Sequence, residues 1–193
     1  TASITDAQQI LQLLIFAAFG LAVTVGIVFI NEGRRQILVQ YARRFVGGRE
    51  VGGSSNNLPL RINQAGVIPI IFAVSLVLVP SFGGQYLAQL SHPQLQVLGR
   101  WLVSNFQVQS LLYNLVYFFL VIGFTYFYTA VIFNPVKISD ELKKSGAFIA
   151  GIRPGVATAA YLNYILTRIT LAGAIFLGLV AILPSIASQL TGI

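Results

Sequence analysis

The sequence predicts an all-α integral membrane protein with about four transmembrane helices and a β-hairpin projecting from the cytoplasmic side. Three observations carry that expectation. Of 193 residues, 56% are hydrophobic and only 9% charged, against about 25% charged in a soluble domain. Four long uncharged stretches alternate with polar connectors. Eleven of the twelve basic residues collect in two of those connectors, and the third holds one.

The first uncharged run covers residues 7–31, with an apolar core at 10–30 that spans about 31 Å as a helix, enough to cross a bilayer. Thr5 or Asp6 is the expected N-cap. This run is too long for a signal-peptide core and lacks a basic flank before it. No methionine occurs anywhere, and the chain stops directly after an apolar run, so the sequence is expected to be a piece of a longer protein.

Residues 32–61 form the first charged loop, with Arg34, Arg35, Arg43, Arg44, Arg49 and Arg61 against Glu32 and Glu50. Two stretches of alternating apolar residues, Ile37, Val39, Tyr41 and then Leu58, Leu60, Ile62, flank the turn-rich VGGREVGGSSNN. That pattern predicts a hairpin; a helix running on to residue 45 and followed by a flexible loop is the alternative.

The second span is expected at 65–82, within LPLRINQAGVIPIIFAVSLVLVP (residues 58–80). Its internal proline, Pro69, would remove a backbone hydrogen bond, so a bend is expected there and packing against other helices is needed to re-satisfy the freed carbonyl. A bendable helix beside a charged loop suggests a gate worked from the loop side; an ordinary proline-kinked membrane helix is the plainer reading. Gly83-Gly84 is expected to end this helix. In the connector 83–110, SHPQ reads as a turn, and 95–106, with Arg100 and Trp101, as a short segment lying at the interface.

The third span is expected at 111–133, rich in Phe and Tyr and stopped by Asn134-Pro135. Residues 134–168 make the second charged loop, with Lys137, Lys143, Lys144, Arg153 and Arg168 against Asp140 and Glu141. Within it SDELKKSG predicts one or two helical turns capped by Ser139 or Asp140 and stopped by Gly146. GIRPG (151–155) predicts a tight exposed turn. Residues 158–168 then read as helix leading into the fourth span, 169–190. The two charged loops hold six and five basic residues and the connector one. The positive-inside rule then places both rich loops in the cytoplasm and both ends of the chain outside.

Several chemistries are excluded. Cysteine is absent and His92 is the only histidine, so neither a thiol nucleophile nor a multi-histidine metal site can form, and no cofactor is expected. All 17 charged residues fall in loops or at helix ends. A charge at mid-membrane costs about 2.5–3.5 kcal/mol on insertion scales and is kept there for ion or proton pathways, so a proton-coupled pump is disfavoured. No GxSxG, HExxH, phosphate-binding glycine loop or membrane aspartate pair occurs, and the chain does not read as an enzyme. The basic loops can hold anionic lipid, at about 1 kcal/mol per residue near the surface, RNA phosphates or an acidic protein patch. They can equally be plain topological anchors. Arg153, set among glycines and a proline, is suited either to insertion into a partner or to anchoring at headgroups.

LPLRINQAGVIPIIFA, NPVKISDELKKSGAFIAGIRPG and the following TRITLAG closely resemble the SecY family, the channel subunit of the bacterial protein-translocation complex. The resemblance covers nearly the whole chain and corresponds to helices six to nine of ten. It implies a protein-conducting channel in the bacterial inner membrane that opens across the bilayer and sideways into lipid. SecE and SecG would be fellow subunits, and signal peptides and translocating preproteins would be its clients. The two cytoplasmic loops would dock the SecA motor or the ribosome, through its RNA and proteins, with Arg43, Arg44 and Arg49 in one loop and Lys143, Lys144, Gly151, Arg153 and Pro154 in the other. Arg153 matches the family arginine needed for motor-driven transport. The helix with Pro69 resembles the seventh, part of the lateral gate; Ile71 matches a pore-ring isoleucine, and Ser75 faces the channel path. A ring of branched apolar side chains seals a pore by dewetting yet yields to a passing chain. Four helices cannot enclose that pore, so the implied function belongs to the whole protein. Half of a secondary transporter, or a structural subunit docking a soluble complex, are the rival readings.

Overall fold

The computed structural model describes residues 7–41, 44–46, 49–51 and 55–191, with side chains at 10, 14–41 and 55–189. Four helical stretches, holding α1 (Ala7–Glu32), α2 (Ile68–Ala88), α4 (Leu111–Ile132) and α6 (Val156–Thr191), are long and apolar enough to cross a membrane. Two shorter helices, α3 (Pro93–Asn105) and α5 (Pro135–Lys144), and five strands complete the described chain. It divides into two compact units, 1–29 with 66–125 and 174–193, and 30–65 with 126–173.

In the first unit the core is a set of four-residue stripes. Ala73 and Val77 of α2, Tyr113, Tyr117 and Val121 of α4, and Leu177 of α6 bury one another. Residues four apart share a helix face, so each helix gives one stripe to protein and leaves the rest of an apolar surface outward. Along α1, Leu14, Phe16, Leu21, Val25 and Phe29 are all exposed. A helix apolar all round and this bare fits surrounding hydrocarbon, not water.

Pro69 does not bend α2. It sits in the first turn of the helix, where no intrahelical N–H is needed and its fixed φ suits a helix start. Pro80 is the interior proline. Nor do Gly83-Gly84 stop the helix, which continues to Ala88. Those glycines serve packing instead. A Cβ on Gly99 of α3 would lie 2.6 Å from the Gly84 carbonyl oxygen and 2.5 Å from the Ala88 nitrogen, and one on Gly84 would lie 2.9 Å from the Gly99 oxygen. The two backbones therefore touch, and only hydrogen fits between them.

The second unit holds the hairpin, and it is larger than expected. β1 (Arg34–Tyr41) pairs antiparallel with β4 (Ser55–Arg61), with Ile37 opposite Leu58 and Gln40 opposite Ser55. β2 (Arg44–Val46) and β3 (Arg49–Val51) pair antiparallel with each other as a separate two-stranded ribbon. A third strand, β5 (Ala147–Ile149), joins the other edge of β1 with Val39 opposite Ile149. Ile37, Val39 and Leu60 on one face meet Ala147, Ile149 and, from α6, Leu162 and Ile165, while Leu38 points outward. Pro59 falls on β4, an edge strand, where a missing N–H is tolerated.

Helix α5 is longer than expected at its start. Asn134, not Ser139 or Asp140, is its N-cap: the Asn134 Oδ1 accepts from the Val136 and Lys137 N–H groups at 3.1 Å each, with Pro135 next to it in the first turn. The Asn-Pro pair that stops α4 thus also starts α5. Gly146, at φ +69°, ends it.

Candidate functional site

In the second unit the exposed GIRPG turn is tied down from two sides. Gly151 at φ +81° and Gly155 at φ +102° supply left-handed backbone that other residues adopt only with strain. The Ser139 hydroxyl, inside α5, donates to the Gly155 carbonyl at 2.6 Å. The Thr158 hydroxyl, in the first turn of α6, donates to the Arg153 carbonyl at 2.9 Å. Both hydroxyl residues are only 2% exposed. The Ile152 N–H donates to the Ile149 carbonyl, joining the turn to β5. Arg153 and Pro154 stand exposed on this braced loop. Its backbone is held while its guanidinium is free to meet an acidic or phosphate partner, whose oxygens it can bind in pairs.

Lys143 and Lys144 close α5, exposed, where cations complement the helix C-terminus. The three residues of β5, anchored on β1, separate them from the GIRPG turn. The structure thus gathers Lys143, Lys144, Gly151, Arg153 and Pro154 around one strand. Arg44 and Arg49 lie on the backbone of the β2–β3 ribbon; their side chains, and Arg43 altogether, lie outside the described residues.

Sequence reasoning missed Ser139 and Thr158 as the braces of the turn. It also missed that Arg34 and Arg61 face each other across β1 and β4. Like charges directly opposite repel, so this exposed pair favours an anion nearby. Only strand register reveals it.

In the first unit, Ile71 and Ser75 share one exposed face of α2. Ile71 is 56% exposed, and the Ser75 hydroxyl donates back to its carbonyl at 2.8 Å, which hides a polar group on an apolar face. Pro69 is buried on the opposite side with Ala73 and Val77. Ile71 and Ser75 therefore belong together, while Pro69 shapes the helix start. On this helix Phe72 meets Phe124 of α4, ring centroids 6.0 Å apart. Among the described residues no group of His, Asp or Glu is placed to hold a metal ion. The two units offer an apolar face and an array of cations, suited to contact and sealing.

Comparison with known proteins agrees with the resemblance. The SecY family model matches residues 1–193. The protein translocase subunit SecY of Mycobacterium bovis is 48% identical over 179 residues, 90% of this chain and 40% of that protein. The corresponding subunit of Chlamydia trachomatis is 47% identical over 184 residues, 94% of this chain and 38% of that one. That of Halalkalibacterium halodurans is 45% identical over 177 residues, 91% and 40%. The chain spans about two fifths of the length of the curated relatives it matches.

Proposed function

This chain belongs to the SecY family, and on that premise we propose that it supplies four spans of a protein-conducting channel whose basic cap docks the agent that drives transport. The observation that carries the docking role is Arg153, exposed on a turn braced by Ser139 and Thr158. A side chain that projects from a fixed backbone binds without first losing loop entropy. The bound agent is the SecA motor or the ribosome, both of which must find the cytoplasmic face of the bacterial inner membrane; the eleven basic residues of the two charged loops support a cytoplasmic cap. SecE and SecG are the expected partner subunits. Energy comes from the docked agent, and the chain itself carries out no bond chemistry.

Ile71 and Ser75 are the pore or gate residues of this reading. Their exposed face on α2 is available to a passing polypeptide or to the rest of the channel, and the branched Ile71 side chain fits a dewetted seal. Pro69 takes part by starting the helix at Ile68.

The experiment is Arg153→Glu in the full-length protein, reconstituted in vesicles and assayed for motor-driven export. Loss of export with normal membrane insertion is the expected result. Unchanged export would make Arg153 a headgroup anchor and remove the docking role from the turn.

A further inference from the structure

We infer that α3 is a phospholipid-binding plate, with its outer face in the bilayer interface and Arg100 beside it taking an anionic headgroup. The first unit provides the geometry. α3 begins five residues after α2 ends, and the Gly84–Gly99 contact clamps it against the last turns of that membrane helix. A helix so placed sits at the end of a span, where hydrocarbon gives way to headgroups. Gly99 faces α2, and on the turn away from it Val97, Leu98 and Trp101 are exposed by 68%, 47% and 52%. Indole is the side chain most at home at that depth, because its ring is apolar and its N–H needs a partner.

Next to this face lies an open cleft of about 410 Å³, bordered by Gln85 of α2, by Gln89 just past its end, and by Arg100, Ser104 and Gln107. Arg100 is the only charged residue between Arg61 and Lys137, and no carboxylate occurs between Glu50 and Asp140. Nothing acidic in the local chain competes for the guanidinium, and the side-chain amides of Gln85, Gln89 and Gln107 offer further donors around it, the Ser104 hydroxyl being already given to the Trp101 carbonyl. A phosphate with its glycerol fits that chemistry, the cation pairing with phosphate oxygens while the acyl chains lie along Val97, Leu98 and Trp101. The glycine contact gives the plate a fixed orientation, so the cleft and the apolar face meet the same lipid.

Trp101 is itself the probe. In the full-length protein its emission is isolated by subtracting the spectrum of Trp101→Phe, in vesicles of phosphatidylcholine with phosphatidylglycerol. Lipids brominated on their acyl chains are expected to quench it, and aqueous acrylamide is not. At equal mole fraction, brominated phosphatidylglycerol is expected to act as if enriched about fivefold over brominated phosphatidylcholine, the preference one basic side chain confers near an anionic surface. Arg100→Gln should remove that preference and leave quenching by phosphatidylcholine. Quenching by acrylamide alone would put the face in water, and resistance to both would put it under protein; either overturns the proposal. Equal quenching by the two lipids would overturn the headgroup site. None of these readouts depends on export, so the inference stands or falls apart from the docking role of Arg153.

Discussion

Replacing Ser139 by alanine removes one hydroxyl and tests how the GIRPG turn is held. The Ser139 hydroxyl donates to the Gly155 carbonyl at 2.6 Å from a site 2% exposed, and that carbonyl also accepts from the Ala159 N–H at 3.1 Å. The carbonyl therefore keeps one partner, and the loss is that of a single hydrogen bond, about 1 kcal/mol. If the turn opens locally, a loss of this size raises the open population about fivefold. Adding Thr158→Val removes the bond to the Arg153 carbonyl as well. The pair then loses about 2 kcal/mol, roughly a thirtyfold rise, less whatever the two neighbours share. Hydrogen exchange at the Ile152 amide, which lies in the turn and donates to Ile149 of β5, and at the Ala159 amide, which donates to Gly155 of the turn, reads the change directly. Ser145→Ala is the control: its hydroxyl, on an exposed residue just past the same helix, bonds the Leu142 carbonyl and braces no turn. Export driven by the motor should fall in the double variant, while insertion and α-helix content stay normal. Unchanged exchange at Ile152 and Ala159 in the double variant would refute the bracing argument, whatever happened to export.

Two further perturbations separate packing from surface roles. Gly99→Ala places a methyl carbon 2.6 Å from the Gly84 oxygen and 2.5 Å from the Ala88 nitrogen, both backbone atoms; overpacking of that kind costs about 1–3 kcal/mol, so the midpoint of thermal unfolding in detergent should drop, and an unchanged midpoint would show that the two helices are not in contact. On α2, Ile71→Ala should leave that midpoint within about 0.5 kcal/mol because the side chain is 56% exposed, yet raise ion leak through resting channels in vesicles. Val77→Ala, at 1% exposure, should do the reverse, losing roughly 1–2 kcal/mol of helix packing without leak.

The places where sequence reasoning erred share a cause. Proline inside an apolar run breaks a hydrogen bond and so predicts a bend at Pro69, but the helix starts one residue before it. Where an apolar run becomes helical is settled by the backbone that precedes it, and here Gly66 at φ +66° turns the chain just ahead. Gly83-Gly84 carry a local signal for a stop, and a close neighbour, Gly99, overrides it. Ser139 has the composition of a cap, but Asn134 fills that role and frees Ser139 to reach Gly155, sixteen residues on. β5 is three residues long and lies next to a turn, too short for a period to show, and it exists because β1 offers an open edge.

By itself the sequence determined the all-α membrane class, the four apolar helices, the hairpin in the first charged loop and the placing of basic residues in two connectors. These follow from composition and short-range period, since a run too apolar for water and long enough for a bilayer has few other fates. Only the tertiary structure decided that Ile71 and Ser75 stand apart from Pro69 on α2 and that two buried hydroxyls hold the arginine turn. The same is true of the opposed Arg34 and Arg61 and of the two glycines that join α2 to α3. Each of these rests on contacts between residues distant in the chain. Their partners are set by strand register and helix packing, which no single stretch of sequence contains.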